Sequence, residues 1–267
     1  MAEHSVFLDI DGTLIADDYS GPFEDDITGI EKARQKGTKF FLCTGRSMAQ
    51  IPVVLLQAPW KDGIVAAGGA HVILDGKTLY HNWIPVPVLC EIAGLFLEKN
   101  KKCCFRGDKN IYAVNYGGVT GSAAAYCAAA NGGKLPVTAA RDFAEKYADA
   151  RVSMLTADHS IGNEERSFLG KYFDIYHQIP HIDCFIKGEG KARGMQLILD
   201  ALSLEKRYSV AIGDSSNDMD IIRYAGTGIA VANACRELKE EAAWISAPVG
   251  QGAVVKALEY LGLCQPD

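Results

Sequence analysis

The sequence has no basic excess: 27 Lys and Arg stand against 33 Asp and Glu, for a net charge of −6. That balance excludes the positive field needed to bind nucleic acid or an anionic membrane surface, so the expected partner is a small molecule. No run approaches the roughly 18 apolar residues of a membrane span. The opening MAEHSVFLDI has no cationic flank before an apolar stretch, so no secretory leader is expected. Eight cysteines, at 43, 90, 103, 104, 127, 184, 235 and 264, form no CxxC pair and no paired metal spacing. Most read as small core residues in a reducing cytoplasm. The histidines, His4, His71, His81, His159, His177 and His181, show no zinc spacing. Only His181, beside Asp183, is placed where it could face a substrate.

The sequence is rich in buried strands that end in polar clusters. With 267 residues and a 48% apolar content, the chain suits one large or two ordinary domains. Ser5 to Leu8 is a short apolar strand, followed at once by Asp9, Asp11, Gly12 and Thr13. Burying two carboxylates this close costs on the order of several kcal/mol each unless a cation offsets them. Taken alone, Asp11-Gly12 would pass for an acidic β-turn.

Downstream, the periodicity predicts a helix over 26–37, a strand over 39–43 ending in Thr44-Gly45-Arg46, a helix over 47–56 with Pro52 near its start, and a strand over 63–67. Alternating strands and helices indicate a parallel sheet with crossover helices. A hairpin is expected over 71–81 about Asp75-Gly76. The rhythm then changes. A helix over 86–99, β-rich segments over 103–116, a small-residue run over 121–130 and strands over 151–156 and 172–178 form a mixed middle region. The first rhythm returns with a strand over 183–186, the GEGKARG stretch, a helix over 191–202, and YSVAIG ending in Asp214. Strands over 227–231 and 243–246 and a helix over 251–261 complete it. The expected fold is α/β: residues 1–81 and 186–267 make a doubly wound, Rossmann-like core, and residues 82–185 are an inserted α+β domain. That insert, hinged near Pro85 and Pro180, could serve as a lid.

In an open parallel sheet, ligands bind outside the carboxyl ends of the strands. Four polar clusters share that address: Asp9 and Asp11; Thr44; the helix start at Lys191; and the run holding Asp214, Asn217 and Asp218. Three carboxylates with one lysine suit a Mg²⁺ and phosphate site, since hard oxygen ligands hold the metal and the lysine balances phosphoryl charge.

Asp9-Ile10-Asp11-Gly12-Thr13, then Thr44-Gly45-Arg46, then Lys191, then Gly213-Asp214-Ser215-Ser216-Asn217-Asp218 resemble the four ordered motifs of the haloacid dehalogenase superfamily. The insertion between the second and third resembles its Cof-type phosphatases. The resemblance implies Mg²⁺-dependent hydrolysis of small phosphorylated metabolites, sugar phosphates first. Asp9 would be the nucleophile and Asp11 the acid and base. Asp9, Asp11 and Asp214 would hold the metal. Thr44, Gly45, Arg46, Lys191 and Asn217 would bind substrate, and Asp218 would orient Lys191. One departure is that Gly68-Gly69-Ala70 stands where such chains usually carry Asn-Gly-Ala.

Rival readings exist. Gly188, Gly190 and Gly194 before a helix, with Asp214 further on, resemble a dinucleotide fingerprint, but they leave Asp9 and Asp11 unexplained. Lys187 competes with Lys191 for the cationic role. DSSNDMD lacks the glycine and the glutamate of a calcium loop. The GKT of HVILDGKT lies in a hairpin and not in a P-loop. A phosphomutase would share the aspartyl-phosphate, and a silent regulatory module would keep the fold without the chemistry.

Overall fold

The computed structural model describes residues 3–16, 21–115, 134–177 and 181–265. The chain forms two compact units. The first comprises Met1–Gly45, Ala58–Tyr80 and Gly190–Asp267, and the second Arg46–Gln57 and His81–Glu189. No helix among the described residues is long and apolar enough to cross a membrane.

The first unit is built on an eight-stranded sheet. Its strands are β1 (Ser5–Leu8), β2 (Lys39–Cys43), β3 (Gly63–Ala66), β4 (His71–Leu74), β5 (Lys77–His81), β12 (Ser209–Gly213), β13 (Thr227–Ala230) and β14 (Trp244–Ile245), in the order β14-β13-β12-β1-β2-β3-β4-β5. Strands β14 to β3 run parallel and β4 runs antiparallel to β3. Every residue of β1 is buried, as a strand covered on both faces must be. Phe7 stacks on its register partner Phe41 at 4.7 Å between ring centroids.

The chain leaves β1 towards β2 and β3, and later returns on the other side at β12. The strand order therefore reverses at β1, and the crevice outside its carboxyl end is where such a sheet binds ligands. Asp75 (φ 49) and Gly76 (φ 73) give the expected hairpin its left-handed turn.

Helix α1 (Glu24–Gln35) begins with Glu24, Asp25 and Asp26 and stops before Gly37 at φ 93. It packs against α9 (Ala253–Tyr260). Helix α6 (Lys191–Leu202) lies against β3, where Gly194 leaves room that a Cβ would lose to Val65. That close packing explains one glycine of the GEGKARG stretch without a dinucleotide. The remaining helices of the unit are α7 (Met219–Tyr224) and α8 (Arg236–Glu241).

The expected helix over 47–56 is instead a 3₁₀ turn, Met48–Gln50, and one short helical turn, α2 (Val53–Leu56). Pro52 lacks an N–H and forces Ile51 into an extended conformation (φ −69, ψ 126), which breaks the helix between them. This segment was expected in the first unit but belongs to the second, where Ala49 joins a small cluster with Cys104, Ile111 and Ala113.

The second unit has a six-stranded sheet in the order β10-β11-β9-β6-β7-β8. The strands are β6 (Cys103–Gly107), β7 (Ile111–Val114), β8 (Lys134–Val137), β9 (Val152–Asp158), β10 (Phe173–His177) and β11 (His181–Ile186). All pairs are antiparallel except β7 with β8. Among the described residues, α3 (Val86–Glu98), α4 (Asp142–Glu145) and α5 (Asn163–Leu169) join α2 in this unit. Leu89, Ile92 and Phe96 of α3, with Phe143 and Leu169, form a core with Cys103, Phe105, Leu155, Ile182 and Cys184 on one sheet face. The strand expected over 183–186 as the return of the first sheet is β11, paired with β9 and β10 of the second. Alternating apolar residues fix which face is buried but not which sheet is joined. The small-residue run over 121–130 and Pro180 lie outside the described residues, while Pro85 opens α3. All cysteines among the described residues are free thiols.

Candidate active site

Four strand and helix ends of the first unit carry the expected polar groups. Asp9 follows β1, its N–H donating to the Ile212 carbonyl at 3.0 Å, so the parallel ladder sets where its carboxylate begins. Thr44 follows β2, fully buried, with its N–H on the Val65 carbonyl at 2.8 Å. Lys191 opens α6, and Asp214 follows β12.

Lys191 joins three of these elements. Its Nζ donates to Asp9 Oδ1 at 2.6 Å and to Asp218 Oδ1 at 2.5 Å, and all three side chains are almost wholly buried. Asp218 Oδ2 accepts the backbone N–H groups of Asp214 and Ser215, each at 3.1 Å. One carboxylate thus orients the lysine and shapes the loop that presents Asp214. Lys187, the competing cation, donates instead to the Gly170 carbonyl in the second unit.

The buried charges do not balance. Burial pushes the Asp9 carboxyl up strongly, Lys191 pulls it back, and Asp218 and Asp11 push it up again. Burial also raises Asp214, with Asp9 and Asp218 adding to the shift. Lys191 is held well above its ordinary range: burial opposes this, but Asp218 and Asp9 outweigh it. One ammonium cannot neutralise this many carboxylates, so the arrangement suits a further cation.

Among the described residues, carboxylate oxygens of Asp9, Asp214 and Asp218 lie within 4.8 Å of one another. Asp218 is already committed to Lys191 and two amides, which leaves the Asp9 and Asp214 side chains for a metal. Asp11 is not in this side-chain cluster, and the family resemblance gives it a metal role through its backbone carbonyl. Gly12 sits at φ 73, a left-handed conformation, and a Cβ there would overlap Asp214 Oδ2. The turn and the Asp214 carboxylate are therefore fitted to each other. Hard oxygen donors of this kind suit a Mg²⁺-like ion.

Gly45 closes the first stretch of the first unit, and Arg46 begins the second, where its Nη1 donates to the Gln50 carbonyl at 2.9 Å. Asn217 accepts from Ser215 Oγ at 3.1 Å through Oδ1. Gly68, which stands where the Cof-type pattern has asparagine, sits at φ 59, ψ 33, a conformation that glycine and asparagine both tolerate. In the second unit, His181 Nε2 lies 3.7 Å from Asp183 Oδ2.

Two residues escaped sequence reasoning. Asn233 donates to the Gly12 carbonyl at 2.7 Å and accepts from the Val249 N–H at 2.8 Å, tying the aspartate turn to the loop after β13. It too is a polar residue just past a strand end, the one signal that could have found it. Asp220, near the start of α7, accepts from the Ala192 N–H at 3.0 Å, and no spacing marks it.

The chain is similar to several known proteins. Over 261 residues, 97% of each chain, the sequence is 24% identical to YkrA of Bacillus subtilis (strain 168), a protein bearing a phosphatase name. A stretch of 74 residues is 45% identical to the phosphoglycolate phosphatase of Archaeoglobus fulgidus, covering 27% of this chain and 33% of that one. The solved structure of the subclass IIB sugar phosphatase BT4131 superposes with a TM-score of 0.83 at 24% identity, over 97% of this chain and 99% of that one. The sequence model of the haloacid dehalogenase-like hydrolases matches residues 6–258. By that match the chain belongs to the haloacid dehalogenase-like hydrolases.

Proposed function

We propose that the protein is a Mg²⁺-dependent phosphatase that hydrolyses small phosphorylated metabolites, sugar phosphates first, through an aspartyl-phosphate. The observation that carries this reading is the buried Lys191 held between Asp9 and Asp218 beside Asp214, at the strand-order reversal of a parallel sheet.

Asp9 Oδ1 is taken by Lys191, which leaves Oδ2 to attack phosphorus in line with the ester oxygen. As the new P–O bond forms and the ester P–O bond breaks, Asp11 gives its proton to the leaving alkoxide. Asp11 then takes a proton from water, whose oxygen attacks phosphorus and displaces Asp9, releasing inorganic phosphate. Lys191 offsets charge on the transferring group, while Asp218 holds the lysine in place. Thr44, Gly45, Arg46 and Asn217 are proposed substrate contacts. The Asp9 and Asp214 side chains and the Asp11 carbonyl would hold the metal, which supplies Lewis-acid stabilisation of the phosphoryl oxygens when bound.

Sugar phosphates come first because BT4131 is named a sugar phosphatase. Phosphoglycolate belongs in any test because the archaeal match, though confined to a segment, is named for it. We assign the second unit the role of selecting the substrate, and the free buried thiols suit a reducing cytoplasm.

The test is phosphate release from p-nitrophenyl phosphate and a panel of sugar phosphates, phosphoglycolate and phosphorylated cofactors. Turnover that needs Mg²⁺, stops with EDTA and vanishes in Asp9→Asn is the expected result. Undiminished hydrolysis in Asp9→Asn overturns the nucleophile. Transfer to a sugar hydroxyl in place of water would mark a mutase.

A further inference from the structure

Lys191 is a long, flexible side chain, and two carboxylates hold its tip. Its root is less obviously secured. The residue before helix α6 is Gly190, which has no side chain to cap the unsatisfied N–H groups of the first turn. The Ala192 N–H, one residue after Lys191, is instead satisfied from a distant part of the chain by Asp220 Oδ2 at 3.0 Å. Asp220 Oδ1 accepts the N–H of Ile221 at 2.7 Å, which fixes the rotation of the carboxylate.

The fit around this contact is close on both sides. A Cβ at Gly190 would overlap Asp220 Oδ2, and a Cβ at Gly69, at φ 100, would overlap the Gly190 carbonyl oxygen. The loop entering α6 is therefore pinned between the turn after β3 and the Asp220 carboxylate. Asp218, two positions before Asp220, holds Nζ of the same lysine. One short segment thus grips Lys191 at both ends.

We propose that Asp220 is a positioning residue for Lys191: by capping the Ala192 N–H it sets where the lysine backbone starts, and so where its ammonium stands between Asp9 and Asp218. The catalytic readout rests on the phosphatase reading above, whereas the placement of the ammonium does not. An ordinary helix cap would change stability alone. A positioning residue also changes turnover in the folded enzyme, because small misplacements of a charge-stabilising group are costly.

Asp220→Ala and Asp220→Asn are compared with the wild-type chain in steady-state kinetics on p-nitrophenyl phosphate. In parallel, acetic anhydride labelling of Lys191 is read by peptide mass spectrometry against Lys39 as reference. Asp220→Ala is expected to lower kcat about tenfold with KM changed less than about twofold. Asp220→Asn, whose one carbonyl oxygen can still accept the Ala192 N–H while the Ile221 N–H loses its acceptor, should restore part of kcat. Labelling of Lys191 should rise about fivefold in Asp220→Ala and little in Asp220→Asn, roughly following the loss of restraint. If Asp220→Ala does not fold, Asp220→Glu, which keeps the charge but moves the acceptor, takes its place with the same expected losses. Unchanged kcat together with unchanged Lys191 labelling overturns the proposal, as does an Asp220→Asn enzyme as impaired as Asp220→Ala. If the wild-type chain hydrolyses no phosphoester, the labelling alone decides, so failure of the phosphatase reading is told apart from failure of this one.

Discussion

Lys191 Nζ and Asp218 Oδ1 meet at 2.5 Å with both side chains 1% exposed. A buried ion pair is seldom a net gain in stability over packed apolar groups, because both ions lose their water. Its presence at a strand-order reversal fits a group kept for its charge. The energetic consequence appears when one partner is lost.

Asp218→Ala leaves Lys191 to Asp9 alone and strips the caps from the N–H groups of Asp214 and Ser215. Losing one partner of a buried pair costs about 3 to 5 kcal/mol. Urea denaturation should show a loss of that order, and Mg²⁺-dependent turnover should fall with it. A loss below about 1 kcal/mol would mean that water or Asp9 takes over the role of Asp218.

Metal and pH should act together on stability. Asp9 is pushed up to about 8 and Asp214 to about 9, burial being the largest cause in each. A carboxyl with a raised pKa in the fold binds its proton more tightly there than in the unfolded chain. Its contribution to stability is full below about pH 4 and is lost as pH rises through the folded value. The metal-free protein should therefore lose stability between pH 5 and 9. Mg²⁺ favours the ionised pair, so the rise in Tm on adding it should be larger at pH 8 than at pH 5. Equal rises at both would show that these two carboxylates do not take the ion.

Gly12→Ala tests the turn that faces Asp214. The left-handed φ of 73 costs an alanine about 1 to 2 kcal/mol, and its Cβ would displace Asp214 Oδ2. The stability loss should match that strain. The drop in kcat/KM, about a hundredfold, should exceed what unfolding explains. A Gly12→Ala enzyme with normal turnover would separate the position of Asp214 from catalysis.

Much of this site was legible because chemistry in a parallel sheet has a fixed address. β1, β2 and β12 are short apolar runs closed by Asp9, Thr44 and Asp214, and a run that ends in buried acid has few structural explanations. The lysine was harder: Lys191 is favoured over Lys187 in the sequence only by its place at a helix start and its spacing to Gly213, and the structure puts Lys191 on Asp9 and Asp218 and Lys187 on the Gly170 carbonyl. Strand membership was less legible still. His181–Ile186 reads the same whichever sheet it joins, and the assignment of Arg46–Gln57 to the second unit depends on Ala49 finding Cys104 and Ile111. Asp220 and Asn233 were silent because one carboxylate or amide in a polar run has no period.

The second unit carries charge where its sheet turns away from its own core. Thr156 Oγ1 donates to Asp183 Oδ1 at 2.9 Å. Burial raises the Asp183 carboxyl, but the nearby His181 and the Arg106 charge outweigh it, so its pKa is held below the ordinary value. Asp183 alternates with Ile182 and Cys184 of the core and so faces the other way. If this face selects the substrate, Asp183→Asn should change the ratio of kcat/KM between two sugar phosphates by about tenfold. Equal losses on every substrate would assign the cluster to structure instead.

Asp26 poses the question of whether a helix cap outweighs the burial of its own charge. Its Oδ1 accepts the N–H groups of Val254 and Val255, each at 2.9 Å, at the start of α9, while its Oδ2 has no hydrogen-bond partner among the described residues. A carboxylate at a helix N-terminus gains about 0.3 to 1 kcal/mol from the dipole. Leaving a charged oxygen unpaired in the interior costs more, and the Asp26 pKa is accordingly raised, by burial first, with the two amides opposing. Its contribution to stability therefore shrinks as pH rises above the ordinary carboxylate range. Asp26→Asn keeps the acceptor and removes the charge, so at pH 8 it should match or exceed the wild type in stability, and the slope of stability with pH should flatten. Asp26→Ala removes the acceptor too and should lose about 1 kcal/mol at either pH. Urea midpoints at pH 5 and pH 8 decide the matter: a clear loss in Asp26→Asn confined to pH 8 would mean that the ionised cap, not burial, prevails.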